Sequence, residues 1–185
     1  SEVTPISILT TPSHEKKGVV SPLLYPDIAL LDSLLTLGLP PAITAMTGVD
    51  AMAHAIEAFT SRHKKNPLSD ALAIQALQLL YANLQAAVQD GQSGRDPVVR
   101  ERMLQGSLFA GMAFANAPVG AVHALAYPLG GHHHLPHGLS NSLVLLPVLQ
   151  FNLPTAAPLY AQLGRAILPD LAHLPDKQAA PSFVD

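Results

Sequence analysis

The sequence contains no cysteine, which excludes disulfides, thiolate metal sites and thiol nucleophiles. Charge is scarce: Asp, Glu, Lys and Arg make up 12% of the 185 residues, against about 25% in an average soluble domain. A chain this poor in charge buries more surface than its own core accounts for, which points to a homo-oligomer or to a separated neighbouring domain. There is no basic stripe either. The formal net charge is −3, and the densest basic patch is the short turn "HKK" at residues 63–65, so nucleic acid is not an expected partner. The longest apolar run, "LVLLPVLQF", falls well short of the roughly 18 residues of a membrane span. The opening "SEVTPISILTT" has neither a basic leader nor a long apolar core, so no signal peptide is read there. The expectation is a soluble, cytoplasmic protein with no membrane partner.

What is present divides into two parts. In residues 1–22, "TPISILTT" is β-branched and short, "PSHEKKG" has turn chemistry and "VVSP" is β-like again, which predicts two short strands and a loop. A lone hairpin is marginal in water, so this piece is expected to belong to a sheet lying mostly before Ser1. From Asp32 the period turns helical. "LPPAITAMTGVDAMAHAIEAFTS" opens with prolines that suit a helix start and runs to about Ser61. "NPLSDALAIQALQLLYANLQAAVQDG" offers Asn66 as N-cap, Pro67 as first helical residue and Gly91 as stop. Asp96 and Pro97 repeat the device. "VGAVHALAYPLGG" and "HGLSNSLVLLPVLQFN" flank a histidine-rich loop, and a last helix at about 155–171 precedes a polar tail. The fold class expected is mainly α.

The chemistry concentrates on a few polar residues in apolar settings. Asp50 and His54 stand four apart, one turn along the same helix face, inside the run "GVDAMAHAIEAF". An uncompensated carboxylate there would cost several kcal/mol to bury. Two readings are open: a hydrogen-bonded pair within a helix bundle, or a shared cation. His123 and His137, both in apolar, glycine-rich surroundings, favour the cation. One carboxylate and three imidazoles suit Zn, Fe or Ni. His132, His133 and His134 read as a polar loop at the mouth of a pocket, while His14, His63 and His173 read as surface residues. Glu57 falls on the Asp50/His54 stripe. It either hydrogen-bonds a ligand or pairs with a nearby Arg or Lys.

Together these segments resemble the iron-containing (group III) alcohol dehydrogenases. "SEVT" is similar to the end of that family's Gly-Thr-Gly-Ser-Glu loop. "PDIALLD" and "LPPAITAMTGVDAMAHAIEAF" resemble its first signature, and "AGMAFANAPVGAVHALAYPLGGHHHLPHGLSNSLVLLPVLQFN" its second. The family's metal ligands are an Asp and a His four apart in the first signature and two His fourteen apart in the second. The resemblance therefore implies Asp50, His54, His123 and His137 as ligands of Fe(II) or Zn(II). It also implies NAD or NADP as cofactor, a small alcohol or aldehyde as substrate, and Lys17 near the cofactor, with Lys16 adjoining. Where many members carry a relay histidine this chain has Tyr127, the expected catalytic hydroxyl.

Family members are roughly twice as long, with an N-terminal nucleotide-binding domain that includes a Gly-Gly-Gly-Ser loop not found here. The resemblance implies that residues 1–22 are a remnant of that domain and residues 23–185 an all-α metal-binding domain, incomplete at its C-terminus, of the dehydroquinate synthase-like fold. Two functions follow: a metal-dependent NAD(P)-linked alcohol dehydrogenase represented by its metal-binding part, or a non-catalytic metal-binding helical fragment. Maleylacetate reduction and hydroxyacid–oxoacid transhydrogenation are related family activities.

Overall fold

A computed structural model describes residues 2–13, 15–89, 91 and 93–185. The hairpin forms as expected: β1 (Ile6–Thr10) pairs antiparallel with β2 (Lys16–Val20), Ile8 opposite Gly18. The helices α1 (Pro41–Thr60), α2 (Pro67–Ala87), α3 (Pro97–Asn116), α4 (Ala121–His132), α5 (His137–Ile167) and α6 (Asp176–Val184) follow.

Local chemistry explains where α2 and α3 begin. The Asn66 side chain accepts from the Leu68 and Ser69 backbone N–H groups at 3.1 and 3.0 Å, and Asp96 accepts from Val98 N–H at 2.9 Å. Each is followed by proline at the first helical position, where a missing N–H costs nothing. Helix α2 stops at Ala87, a few residues before the predicted Gly91, which lies beyond it at φ +94°.

Alanines let α1, α2 and α3 approach closely. Ala55, Ala58, Ala73, Ala76, Ala110 and Ala113 are fully buried, with Phe59, Leu77, Tyr160 and Leu163 filling the space between helices. The core therefore rests on small residues at helix contacts and a few large ones. One end of it carries the polar cluster described below.

The structure corrects two expectations. The segments expected as separate helices around 137–152 and 155–171 form the single helix α5, about 46 Å long at 1.5 Å per residue. Proline inside a helix normally breaks it, by removing an N–H and crowding the carbonyl four residues back. Here Pro147, Pro154 and Pro158 all lie on the exposed face, as do Leu143, Gln150 and Pro154 four residues before each, so water can take the freed carbonyls. The supposed polar tail contains α6, whose Ala179, Ala180 and Val184 are buried with Tyr160 and Leu163 of α5. Helix α5 also has the length and mean hydropathy (1.3) of a membrane span, although no unbroken apolar run does. It packs on α1, α4 and α6.

Candidate metal centre

Three helices bring the polar residues together. Asp50 projects from α1, His123 from the first turn of α4, and His137 from the start of α5. The His123 Nε2 atom lies 3.4 Å and the His137 Nε2 atom 3.8 Å from Asp50 Oδ1, and one donor atom from each residue fits within a 4.8 Å span. Tight packing sets this spacing. A Cβ built on Gly138 would fall 2.6 Å from the Met46 carbonyl carbon, so only glycine lets α5 cross α1 at the turn that carries His137.

Glu57 settles the choice left open for it. Its Oε2 lies 2.6 Å from His123 Nδ1, and its Oε1 accepts from the Val122 backbone N–H at 2.8 Å. The carboxylate is buried, so it both satisfies the first turn of α4 and fixes the imidazole. With Nδ1–H donating to Glu57, Nε2 faces Asp50 and His137. A carboxylate that accepts the other ring N–H in this way is the usual partner of a metal-binding imidazole.

His54 stands beside this trio. Its ring stacks on Phe114 with centroids 4.6 Å apart and on His123 at 4.4 Å. Burial drives its pKa down to about 3, so it is a neutral imidazole. Burial opposes ionisation of Asp50, yet the His123 hydrogen bond and the neighbouring imidazoles hold its carboxyl at about 2. Burial likewise opposes protonation of His123, but hydrogen bonds to Asp50 and Glu57 raise it to about 9. The donor set fits a divalent transition ion: a charged carboxylate, imidazoles with available nitrogens, and a carboxylate orienting one of them from behind.

These shifts give the metal-free fold a stability maximum in pH. Unfolded histidine protonates near 6.5 but folded His54 only near 3, so stability falls as pH drops through that interval. Asp50 adds stability above 3.8 that is lost as pH falls toward 2. His123 contributes fully below 6.5 and loses its contribution as pH rises through 9. The denaturation midpoint of metal-free protein should therefore peak near pH 6.5 and decline on both sides. A flat profile between the two limits would contradict the arrangement.

The remaining expected residues fall nearby or outside. Tyr127 is half-buried, its ring 6.3 Å from that of His137. It lines a cleft of about 300 Å³ with Lys16, Lys17 and His132. Lys17 is mostly exposed and pairs with Glu15 at 3.0 Å, whereas Lys16 donates to Thr10 at 2.8 Å. His63, His133, His134 and His173 are exposed, and His14 lies outside the described residues. Sequence reasoning missed Asn141, which is fully buried against Asp50, His123 and His137. The signal was its spacing: four residues after His137, on the same helix face.

Comparison with known proteins agrees with this architecture. The 1-propanol dehydrogenase of Citrobacter freundii is 44% identical over 181 residues, covering 94% of this chain and 47% of that protein. A crystal structure of 1,3-propanediol oxidoreductase superposes with a TM-score of 0.92 at 38% identity, over 99% of this chain and 47% of that one. The sulfoacetaldehyde reductase of Bifidobacterium kashiwanohense, solved in complex with NAD+, gives 0.82 at 31% identity, over 98% and 46%. The chain thus spans about half the length of the relatives it matches. Residues 44–184 match the C-terminal region of the Fe-containing alcohol dehydrogenases, and the chain belongs to that family.

Proposed function

We propose that this chain is the metal-binding part of an NAD(P)-linked alcohol dehydrogenase, with Asp50, His54, His123 and His137 holding a divalent iron or zinc ion. The observation that carries the reading is the convergence of Asp50, His123 and His137 on one point, with Glu57 buried behind His123. When bound, the ion supplies Lewis-acid polarisation of the substrate oxygen, and the nicotinamide exchanges the hydride.

The chain's own residues do the rest. Asp50 offsets the cation's charge, Glu57 holds His123 in the tautomer that presents Nε2, and His137 is partly open beside the Tyr127 ring. The Tyr127 hydroxyl would pass a proton to or from the substrate oxygen, a role supported by its ring lying 6.3 Å from that of His137. Lys17 and its neighbour Lys16 line the Tyr127 cleft with Glu15, and the two lysines would meet an anionic cofactor there. The relatives named for 1-propanol and 1,3-propanediol favour a small primary alcohol, and the one solved with NAD+ favours that cofactor. Exposed Leu23, Ile28, Leu30 and Leu35 favour self-association, and a cytoplasmic location suits a nicotinamide-linked dehydrogenase.

The test is alcohol-dependent reduction of NAD or NADP by the full-length protein, before and after chelation. Activity should disappear with the ion and return with Fe(II) or Zn(II). Turnover indifferent to chelation would refute the proposal. The 185 residues alone should bind the ion without turnover. In the full-length protein, Tyr127→Phe should lower kcat about 100-fold, the scale of general acid–base assistance, with metal content unchanged. An unaltered pH–rate profile would make Tyr127 a packing residue.

A further inference from the structure

Arg100 is a buried charge with no opposite charge beside it. It lies near the N-terminal end of α3 and is 4% exposed. Its Nε donates to the Gly94 carbonyl at 2.7 Å and its Nη1 to the Thr44 hydroxyl at 2.9 Å. No Asp or Glu pairs with it among the described residues. Burial lowers its pKa with no neighbouring charge to raise it again, yet a guanidinium stays protonated in proteins. Buried charges are normally paired, and the N-terminal end of a helix favours an anion.

The unused N–H groups border open space. Arg100 and Thr44 both line a cavity of about 200 Å³ between α1, α2 and α3. The Nη1 bond to Thr44 brings the far end of the guanidinium to it, while Nε turns to Gly94 in the wall of a smaller one. Nη2 makes no hydrogen bond among the described residues, where the one fully buried side-chain atom without a partner is Asn141 Oδ1. Nη2 is therefore not sealed in protein. Thr44 accepts from Arg100 and keeps its own proton to give. Thr36 and Thr47 in the same wall spend theirs on the Ser33 and Ile43 carbonyls at 2.8 and 2.9 Å. Most of the remaining wall is apolar: Leu39, Ala51, Leu80, Met103 and Leu104. Ser107 lies on the same face of α3 as Arg100 and about 10 Å along it, at the cavity's other end.

We propose that this cavity is a binding site for a short aliphatic carboxylate, held at its charged end by Arg100 and Thr44. The free N–H groups of Nη1 and Nη2 match the two carboxylate oxygens, and the apolar walls take the chain. A phosphate would leave oxygens unpaired against those walls. The cavity is smaller than the roughly 300–1,000 Å³ of drug-sized sites, which limits the chain to a few carbons. The inference does not rest on the metal-binding reading. Helix α1 turns Thr44 and Ala51 to this cavity but Asp50 and His54 to the metal centre.

The test is calorimetric titration of the chelator-treated full-length protein, in which no ion competes for the carboxylate. The probes are acetate, butyrate, octanoate, neutral butyramide and inorganic phosphate at constant ionic strength. One butyrate per chain should bind at least about 10-fold more tightly than acetate, as expected for two more buried methylenes. Octanoate should bind more weakly than butyrate, and butyramide and phosphate not measurably. Arg100→Met should abolish binding of both short carboxylates. Ser107→Leu, which fills the far end without touching the guanidinium, should reduce butyrate to the affinity of acetate and leave acetate unchanged. Butyrate binding that survives in Arg100→Met would overturn the inference, as would no saturable binding by wild type. Equal affinity for acetate, butyrate and phosphate would also overturn it, since that is loose attraction of anions. If Arg100→Met fails to fold by circular dichroism, Ser107→Leu decides, and wild-type butyrate affinity there would overturn the inference.

Discussion

His123→Ala should abolish stoichiometric binding of a divalent ion and destabilise the metal-free fold. The first loss follows from removing the nitrogen that faces both Asp50 and His137. The second follows from Glu57, whose side chain is 6% exposed and would keep one hydrogen bond, from Val122. Breaking a buried charged pair by deleting one partner costs about 3–5 kcal/mol. Glu57→Gln should be milder, with affinity falling about 10- to 100-fold as for other changes behind a ligand. His133→Ala, in the exposed loop, should leave both properties intact. Elemental analysis and denaturant titration separate the three variants. Equal loss from His133→Ala would place the loop histidines around the ion and contradict the assignment.

Gly138→Ala should be nearly as damaging, by a different route. The added methyl meets the Met46 carbonyl, which is helix backbone and cannot turn aside. Relief requires α5 to move away from α1, carrying His137 and Asn141 away from Asp50. Overpacking of this kind costs about 1–3 kcal/mol, and the displaced ligands should weaken ion binding as well. Gly48→Ala is the control, on α1 where it faces α2 and α3. There the obstructing atoms are the side-chain ends of Leu84 and Met103, which can adjust, so stability should fall less and affinity not at all. A Gly138→Ala protein that melts and binds like wild type would mean the helix crossing is looser than the structure shows.

Much of this could be read along the chain because local chemistry settled it. Asn66–Pro67 and Asp96–Pro97 mark helix starts by satisfying or dispensing with N–H groups, whatever the helix packs against. The helical period alone put Asp50 and His54 on one face, and the apolar settings of His123 and His137 set them apart from the surface histidines. What could not be read depended on surroundings. Pro154 and Pro158 signal a break in isolation, and only their common exposure lets α5 continue through them. Helix α6 has little apolar content of its own and is held by Tyr160 and Leu163 of α5. Glu57 had two equal readings until α4 was placed, because its partners lie 65 and 66 residues away. His54 is a further lesson. Its spacing from Asp50 brings it next to the cluster, yet packing against Phe114 sets the direction of its ring.

The centre itself is tested most directly by calorimetric titration of the metal-free chain with zinc at neutral pH, repeated in buffers of different ionisation enthalpy. Of the proposed ligands, Asp50 and His54 are held at about 2 and about 3 and burial lowers His137, so these carry no proton to lose, whereas His123 is held at about 9. Ligands must shed their protons to bind. The predicted result is one zinc ion per chain with about one proton released, both lost in Asp50→Ala. No saturable binding, or binding that Asp50→Ala leaves intact, would contradict the metal centre.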